Sequence, residues 1–246
     1  MIKLYRDKPI LFAILWIVIY VVGFSLSDSV SSSLGMEKSV TLVLGLVLSA
    51  ALYFWISRQN LKPWFGLCPS AVPARRLLWY VPLGMLLTVN LWLGAVRNLS
   101  IPETIFYILS MLCVGFLEEL IFRGMLFQAM LPGGVKSAVL VSSLTFGMGH
   151  LVNLFNSSGA ALFAAVLQVV YAAAIGFLFS ILFYKTKSLW ACIITHGIFN
   201  ALSVFANEDA STPAFDFFSA AFLTVVAAGY AVYILCIPPD LDKDAS

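Results

Sequence analysis

The chain has 246 residues, of which 61% are hydrophobic and 11% charged, and its net charge is +2. A soluble domain carries roughly 25% charged residues, so a soluble fold cannot hide this much apolar surface and lipid must be the solvent. The small net charge leaves no electrostatic footprint for a nucleic-acid partner, and none is expected.

The first apolar stretch follows Met1-Ile-Lys-Leu-Tyr-Arg-Asp-Lys8. A signal peptide also opens on positive charge, but residues 9–26 are long enough to span a bilayer. The Ser-Asp-Ser-Val-Ser-Ser-Ser that follows has no small-x-small cleavage site next to the apolar core. This stretch is read as the first transmembrane helix, ending before a serine-rich loop. A second helix is expected over 40–56. Lys62-Pro-Trp-Phe-Gly-Leu-Cys-Pro reads as a loop by its prolines and glycine, resting at the membrane interface through Trp64 and Phe65. Further helices are expected over 77–96, 105–131, 137–153, 161–184, 189–205 and 215–237. Each is near the ~20 apolar residues that a span needs.

The expected fold is therefore all-α, a polytopic transmembrane bundle of about eight helices. It forms a single domain over 1–246, with no internal repeat. If the helices alternate from a cytoplasmic N-terminus, one side holds Lys3, Arg6, Lys8, Arg58, Lys62, Arg75, Arg76, Lys136, Lys185, Lys187 and Lys243. The other side holds only Lys38 and Arg97. That asymmetry follows the positive-inside rule and places both termini in the cytoplasm. The cysteines, Cys68, Cys113, Cys192 and Cys236, match no zinc or redox spacing. They read as small core residues outside any disulfide framework.

Ionisable groups are almost absent from the expected spans, with one exception. The fourth carries Glu118, Glu119 and Arg123 in Phe-Leu-Glu-Glu-Leu-Ile-Phe-Arg-Gly. An arginine or aspartate near a helix centre costs roughly 2.5–3.5 kcal/mol, and such residues usually face a bundle interior or cavity. The chain's two histidines, His150 and His196, also fall inside expected spans. Glu119 and Arg123 are four apart and share a helix face, whereas Glu118 is turned about 100° away and points elsewhere. His150 shares a face with Asn153, and His196 with Asn200. Gly147, Gly149 and Gly197 permit close helix approach. A Glu-Arg pair also serves simply to fasten helices, and a lone histidine or asparagine to hydrogen-bond across them. The concentration of all these groups in three helices favours a working site. Asp28, Glu37, Glu208, Asp209 and Asp216 read as solvated loop residues.

Hydrolysis of a peptide bond in a membrane needs a means of activating water. No Gly-x-Ser-x-Gly is present, nor His-Glu-x-x-His, nor an aspartate in an apolar span. What remains is a carboxylate general base helped by histidine, with a second histidine and an asparagine for the oxyanion.

These motifs, Glu118-Glu119-x-x-x-Arg123, Phe146-x-x-x-His150, and His196 with Asn200, resemble in order those of the CAAX-protease and bacteriocin-processing (CPBP) family of type II CAAX prenyl endopeptidase relatives. The resemblance covers about 116–205. It implies that Glu118 activates the water, that His150 helps position it, and that His196 and Asn200 form the oxyanion hole. Glu119, Arg123 and Phe146 would support the site. Two histidines and a glutamate also make a zinc ligand set. Metal-free catalysis is the reading preferred, with Glu118, His150 and His196 as ligands should zinc be bound. The implied activity is an intramembrane endopeptidase acting on a membrane-associated peptide or protein, lipidated or a peptide precursor. Eukaryotic members remove the last three residues of prenylated proteins, and bacterial relatives are tied to peptide maturation and self-immunity. Short loops, compact size and the lack of a targeting leader point to a prokaryotic cytoplasmic membrane. A small transporter or proton relay, and a catalytically silent regulator or scaffold, are the competing readings.

Overall fold

The computed structural model describes residues 1–151 and 162–238. Its helices are α1 Ile2–Asp7, α2 Pro9–Ser33, α3 Ser39–Arg58, α4 Val81–Leu87, α5 Ile101–Glu119, α6 Val135–Gly149, α7 Leu162–Thr186, α8 Trp190–Leu202 and α9 Pro213–Cys236. Among the described residues there is no strand, only an antiparallel bridge between Ala95 and Ala206. The fold is all-α. Helices α2, α3, α7 and α9, and the run Ile101–Gly133 that α5 opens, are long and apolar enough to cross a membrane. Along α2, Leu11, Leu15, Val18 and Val22 stay between 41% and 52% exposed. That much apolar surface fits a lipid surround.

Four expected elements differ. The first helix runs on through the serine-rich stretch to Ser33. Its hydroxyls fold back on the helix, as Ser31 does on the Ser27 carbonyl at 2.8 Å, so serine does not end it. Asp28 is thus helical rather than a loop residue, taking the Thr41 hydroxyl at 2.5 Å and Lys38 at 2.8 Å. The third expected helix, 77–96, is broken. Leu78, Trp79 and Tyr80 have positive φ, and only Val81–Leu87 is α-helical before a short 3-10 turn. Neighbours take up part of the polar backbone that the break exposes: Tyr230 donates to the Leu77 carbonyl at 2.7 Å, and Val96 N to that of Phe205 at 3.0 Å. Irregular backbone at membrane depth needs such cover. Phe65 does not rest at the interface but is fully buried against Tyr5 and Trp55, while Trp64 is exposed. The fifth helix stops at Gly149 with His150 as its C-cap, and Asn153 lies outside the described residues.

Contacts between ends define two poles. At one, Tyr5 packs on Phe65, Leu189 N bonds the Gly66 carbonyl at 2.8 Å, and Lys185 Nζ bonds the Ile237 carbonyl at 2.9 Å. Lys3, Arg6, Lys8, Arg58, Lys62, Arg75, Arg76, Lys136, Lys185 and Lys187 belong to this pole, which therefore also holds the N-terminal helix and the end of α9. At the other pole, Glu37 N bonds Glu103 at 3.1 Å, Asn98 bonds the Ala206 carbonyl at 2.9 Å, and Tyr107 bonds Ser203 at 2.8 Å. Among the described residues it carries Lys38 and Arg97 as its lysines and arginines. The broken segment after Ala74 joins the two poles, so it crosses the bundle even though it is not one helix. Of the cysteines, all free, Cys113 and Cys192 are buried as core residues should be, but Cys236 is exposed.

Candidate active site

Helix α5 ends at Glu119 and continues without interruption as a π-helix, Leu120–Phe127. Such i→i+5 segments are rare and frequently sit at functional sites. Every residue of this one is buried. Four residues fall short of one full turn of the wider helix, so Glu119 and Arg123 lie one above the other. Arg123 Nη1 donates to Glu119 Oε1 at 2.9 Å, and both side chains are 0% exposed.

Helix α8 brings His196 to the same carboxylate. A Cβ added at Gly115 would sit 2.5 Å from Gly197 N and 2.6 Å from its Cα. The backbones of α5 and α8 therefore meet at a Gly–Gly crossing, the small-residue device of membrane bundles. One turn further along α5, His196 Nδ1 lies 2.8 Å from Glu119 Oε1. A carboxylate beside a guanidinium is ionised and can only accept, which assigns the hydrogen to Nδ1 and leaves Nε2 facing the other way.

What Nε2 faces is Glu118, with Oε2 at 3.6 Å. The other oxygen of Glu118 accepts a hydrogen bond of 2.5 Å from the Tyr20 hydroxyl on α2. Glu118 and Glu119 thus differ as the 100° rotation predicts. Glu119 is sealed in the packing, while the Glu118 side chain is 13% exposed and lines a cavity of about 520 Å³. His150, His196 and Asn200 line the same cavity. The structure brings the seven site residues together: Glu118, Phe146, His150, His196 and Asn200 line the cavity, and Glu119 and Arg123 lie buried beside it.

Arg123 is held by aromatic rings as well as by charge. Its guanidinium lies 4.2 Å from the Phe146 ring centre and 5.6 Å from that of Phe179. Its Nε and Nη2 have no hydrogen-bond partner among the described residues, so the ring faces are what compensate their burial. Phe146 in turn meets the rings of His150 and His196 edge-on, at 5.4 and 5.6 Å. Gly176 on α7 leaves the room, since a Cβ there would stand 3.1 Å from Arg123 Nη2 and 3.2 Å from Phe146. Gly147 makes a comparable close contact with Ala173, but among the described residues nothing lies within 4 Å of a Cβ at Gly149.

Sequence reasoning missed Tyr20, Gly115 and Gly176. A hydroxyl in the middle of the first span, rather than at its interface end, was the available signal for Tyr20. The glycines and the π segment have no local signature. For zinc, the donor atoms are what matter: Glu118 Oε1 takes the Tyr20 hydroxyl and His196 Nδ1 is held by Glu119, which leaves Glu118 Oε2 and His196 Nε2 facing the cavity. Among the described residues no three His, Cys, Asp or Glu side chains are gathered in one place.

Fold and site together define the class: an all-α integral membrane protein with carboxylates, imidazoles and a guanidinium gathered beneath a polar cavity. Residues 100–202 match the family described as Type II CAAX prenyl endopeptidase Rce1-like, in agreement with the resemblance carried by the motifs. The matched stretch runs from α5 to α8 and holds every site residue named above except Tyr20. No curated protein and no solved structure matches the chain.

Proposed function

We propose that the protein is an intramembrane endopeptidase that hydrolyses a peptide bond of a membrane-associated peptide or protein. One observation carries the reading: Glu118 sits at the inner end of a polar cavity, oriented by the Tyr20 hydroxyl at 2.5 Å and opposed by His196 Nε2 at 3.6 Å. The 3.6 Å gap is too long for a direct hydrogen bond and faces the open space in which water and a scissile carbonyl would meet.

In this mechanism Glu118 takes a proton from water, and the hydroxide oxygen bonds to the carbonyl carbon. The carbonyl oxygen becomes an oxyanion and accepts hydrogen bonds from His196 and the Asn200 amide. Glu118 then passes its proton to the leaving nitrogen as the C–N bond breaks. His150, at the C-terminus of α6, positions the water. Glu119 and Arg123 are positioning residues, the first holding the His196 ring and the second holding Glu119. With Nδ1 already donating to Glu119, Nε2 donates to an oxyanion only when the ring carries both protons.

A substrate that is lipidated or a peptide precursor, and residence in a prokaryotic cytoplasmic membrane, belong to the same proposal. The transporter reading is the less favoured, because Phe65, Phe127 and Leu189, each at most 1% exposed, close the bundle at the basic pole. Turnover of a peptide library by wild type but not by Glu118→Gln tests the proposal. Equal turnover by both would refute it.

A further inference from the structure

We infer that the cavity is entered from the pole opposite the basic one, so that the substrate is a peptide segment already delivered to the non-cytoplasmic side of the membrane. The entry side stands on its own observations, and the nature of the substrate rests on the peptidase reading above.

The walls give the direction. From Glu118 and His196 the cavity lining runs to Asp28, Lys38, Ser203 and Glu208. These last four lie at the pole where Lys38 pairs with Asp28 at 2.8 Å and Ser203 meets Tyr107. The opposite direction is closed. Phe65, Phe127 and Leu189 are at most 1% exposed. A Cβ at Gly66, whose φ is +71°, would stand 2.4 Å from Phe183, so the packing there leaves no gap. This closed floor lies at the pole to which the described chain assigns ten lysines and arginines, eleven by sequence less Lys243, against Lys38 and Arg97 at the other. The positive-inside rule makes the closed, basic pole cytoplasmic. The open pole then faces away from the cytoplasm. Water, needed both to react and to solvate the charges of the cluster, reaches Glu118 along the same path.

A consequence follows for reaction order. A cytoplasmic peptide cannot reach Glu118 without first crossing the bilayer. The step that supplies the substrate is therefore membrane insertion or translocation, and cleavage follows it.

The test uses the full chain in a bacterial membrane, with Cys68, Cys113, Cys192 and Cys236 replaced and one cysteine restored at a time. Met111→Cys reports the cavity wall, Ser203→Cys its rim and Lys187→Cys the basic pole. The probe is a charged, membrane-impermeant thiol reagent applied to sealed right-side-out and inverted vesicles. Met111→Cys and Ser203→Cys should label in right-side-out vesicles and lose labelling in inverted ones, with Lys187→Cys showing the reverse. Labelling of Met111→Cys together with Lys187→Cys, from both sides, or from neither, overturns the entry side. If Met111→Cys does not accumulate, Ser203→Cys decides by the same criteria. A membrane-tethered peptide library presented to each face completes the experiment. Cleavage only from the cytoplasmic face overturns the inference. The expected labelling with cleavage from neither face supports the entry side and counts against the peptidase reading instead.

Discussion

His196 Nδ1 lies 2.8 Å from Glu119 Oε1, an oxygen that also receives Arg123, although the two residues are 77 apart in sequence and on different helices. The contact gives the adjacent glutamates different surroundings. Glu119 Oε1 takes both the ring and the guanidinium, and Glu118 has one hydrogen bond from Tyr20 and a face on the cavity. Glu118→Gln keeps size and most hydrogen bonding but removes the base. Turnover should fall by about 10² or more while thermal stability is unchanged. Tyr20→Phe should lower kcat by about tenfold, the order of one hydrogen bond to a charged group. Steady-state kinetics on a cleaved peptide check both, and near-full turnover by Glu118→Gln would sink the assignment.

Oxyanion donors predict a second pattern. His196→Ala and Asn200→Ala should each cost on the order of 10²–10³ in turnover. The two should differ in stability, because only His196→Ala leaves the buried Glu119 short of a partner. Thermal melts of the purified variants, set beside their kinetics, measure that difference.

Arg123→Ala should fail mainly in folding. It leaves Glu119 buried with a single donor, and breaking a buried ion pair costs about 3–5 kcal/mol. Poor accumulation and a lower Tm are expected. Glu119→Gln combined with Arg123→Met should recover part of that stability, because no unpaired charge remains. An Arg123→Ala protein as stable as wild type but inactive would make Arg123 a substrate-binding residue instead.

The Gly–Gly crossing sets a geometric test. Gly115→Ala places a methyl 2.5 Å from the Gly197 backbone, so α5 and α8 must separate and carry His196 away from both glutamates. Overpacking of this kind costs about 1–3 kcal/mol, and activity should fall further than stability alone explains. Gly229→Ala on α9, with nothing within 4 Å among the described residues, should be silent in both measurements. Equal behaviour of the two variants would dissociate the crossing from the site.

Chelation separates the two uses of the polar cluster. With Glu118 acting directly on water, activity should survive a chelator, and metal analysis of the active protein should find no stoichiometric zinc. One zinc per chain, with activity lost on removal and restored on return, would turn Glu118, His150 and His196 into ligands.

Much of this protein is legible in one dimension, for a physical reason. A bilayer demands runs of ~20 apolar residues, and charge inside such a run is costly enough to be conspicuous. The sequence by itself therefore determined the all-α membrane class, the positions of the long helices and the short list of residues worth attention. It also determined the Glu119–Arg123 pairing, because a four-residue spacing is a local property of a helix. The tertiary structure alone decided what each carboxylate touches. Tyr20 reaches Glu118 across 98 residues, and His196 reaches Glu119 across 77. Neither contact has a local signature. Both depend on how closely helix backbones approach, which Gly115 and Gly197 set, and on a π segment that no propensity announces. The broken crossing near Leu78 and the closed floor at Phe65 escaped for the same reason. Apolar content is read from composition, but whether an apolar residue meets lipid, a core or a cavity wall depends on which neighbours the fold brings to it.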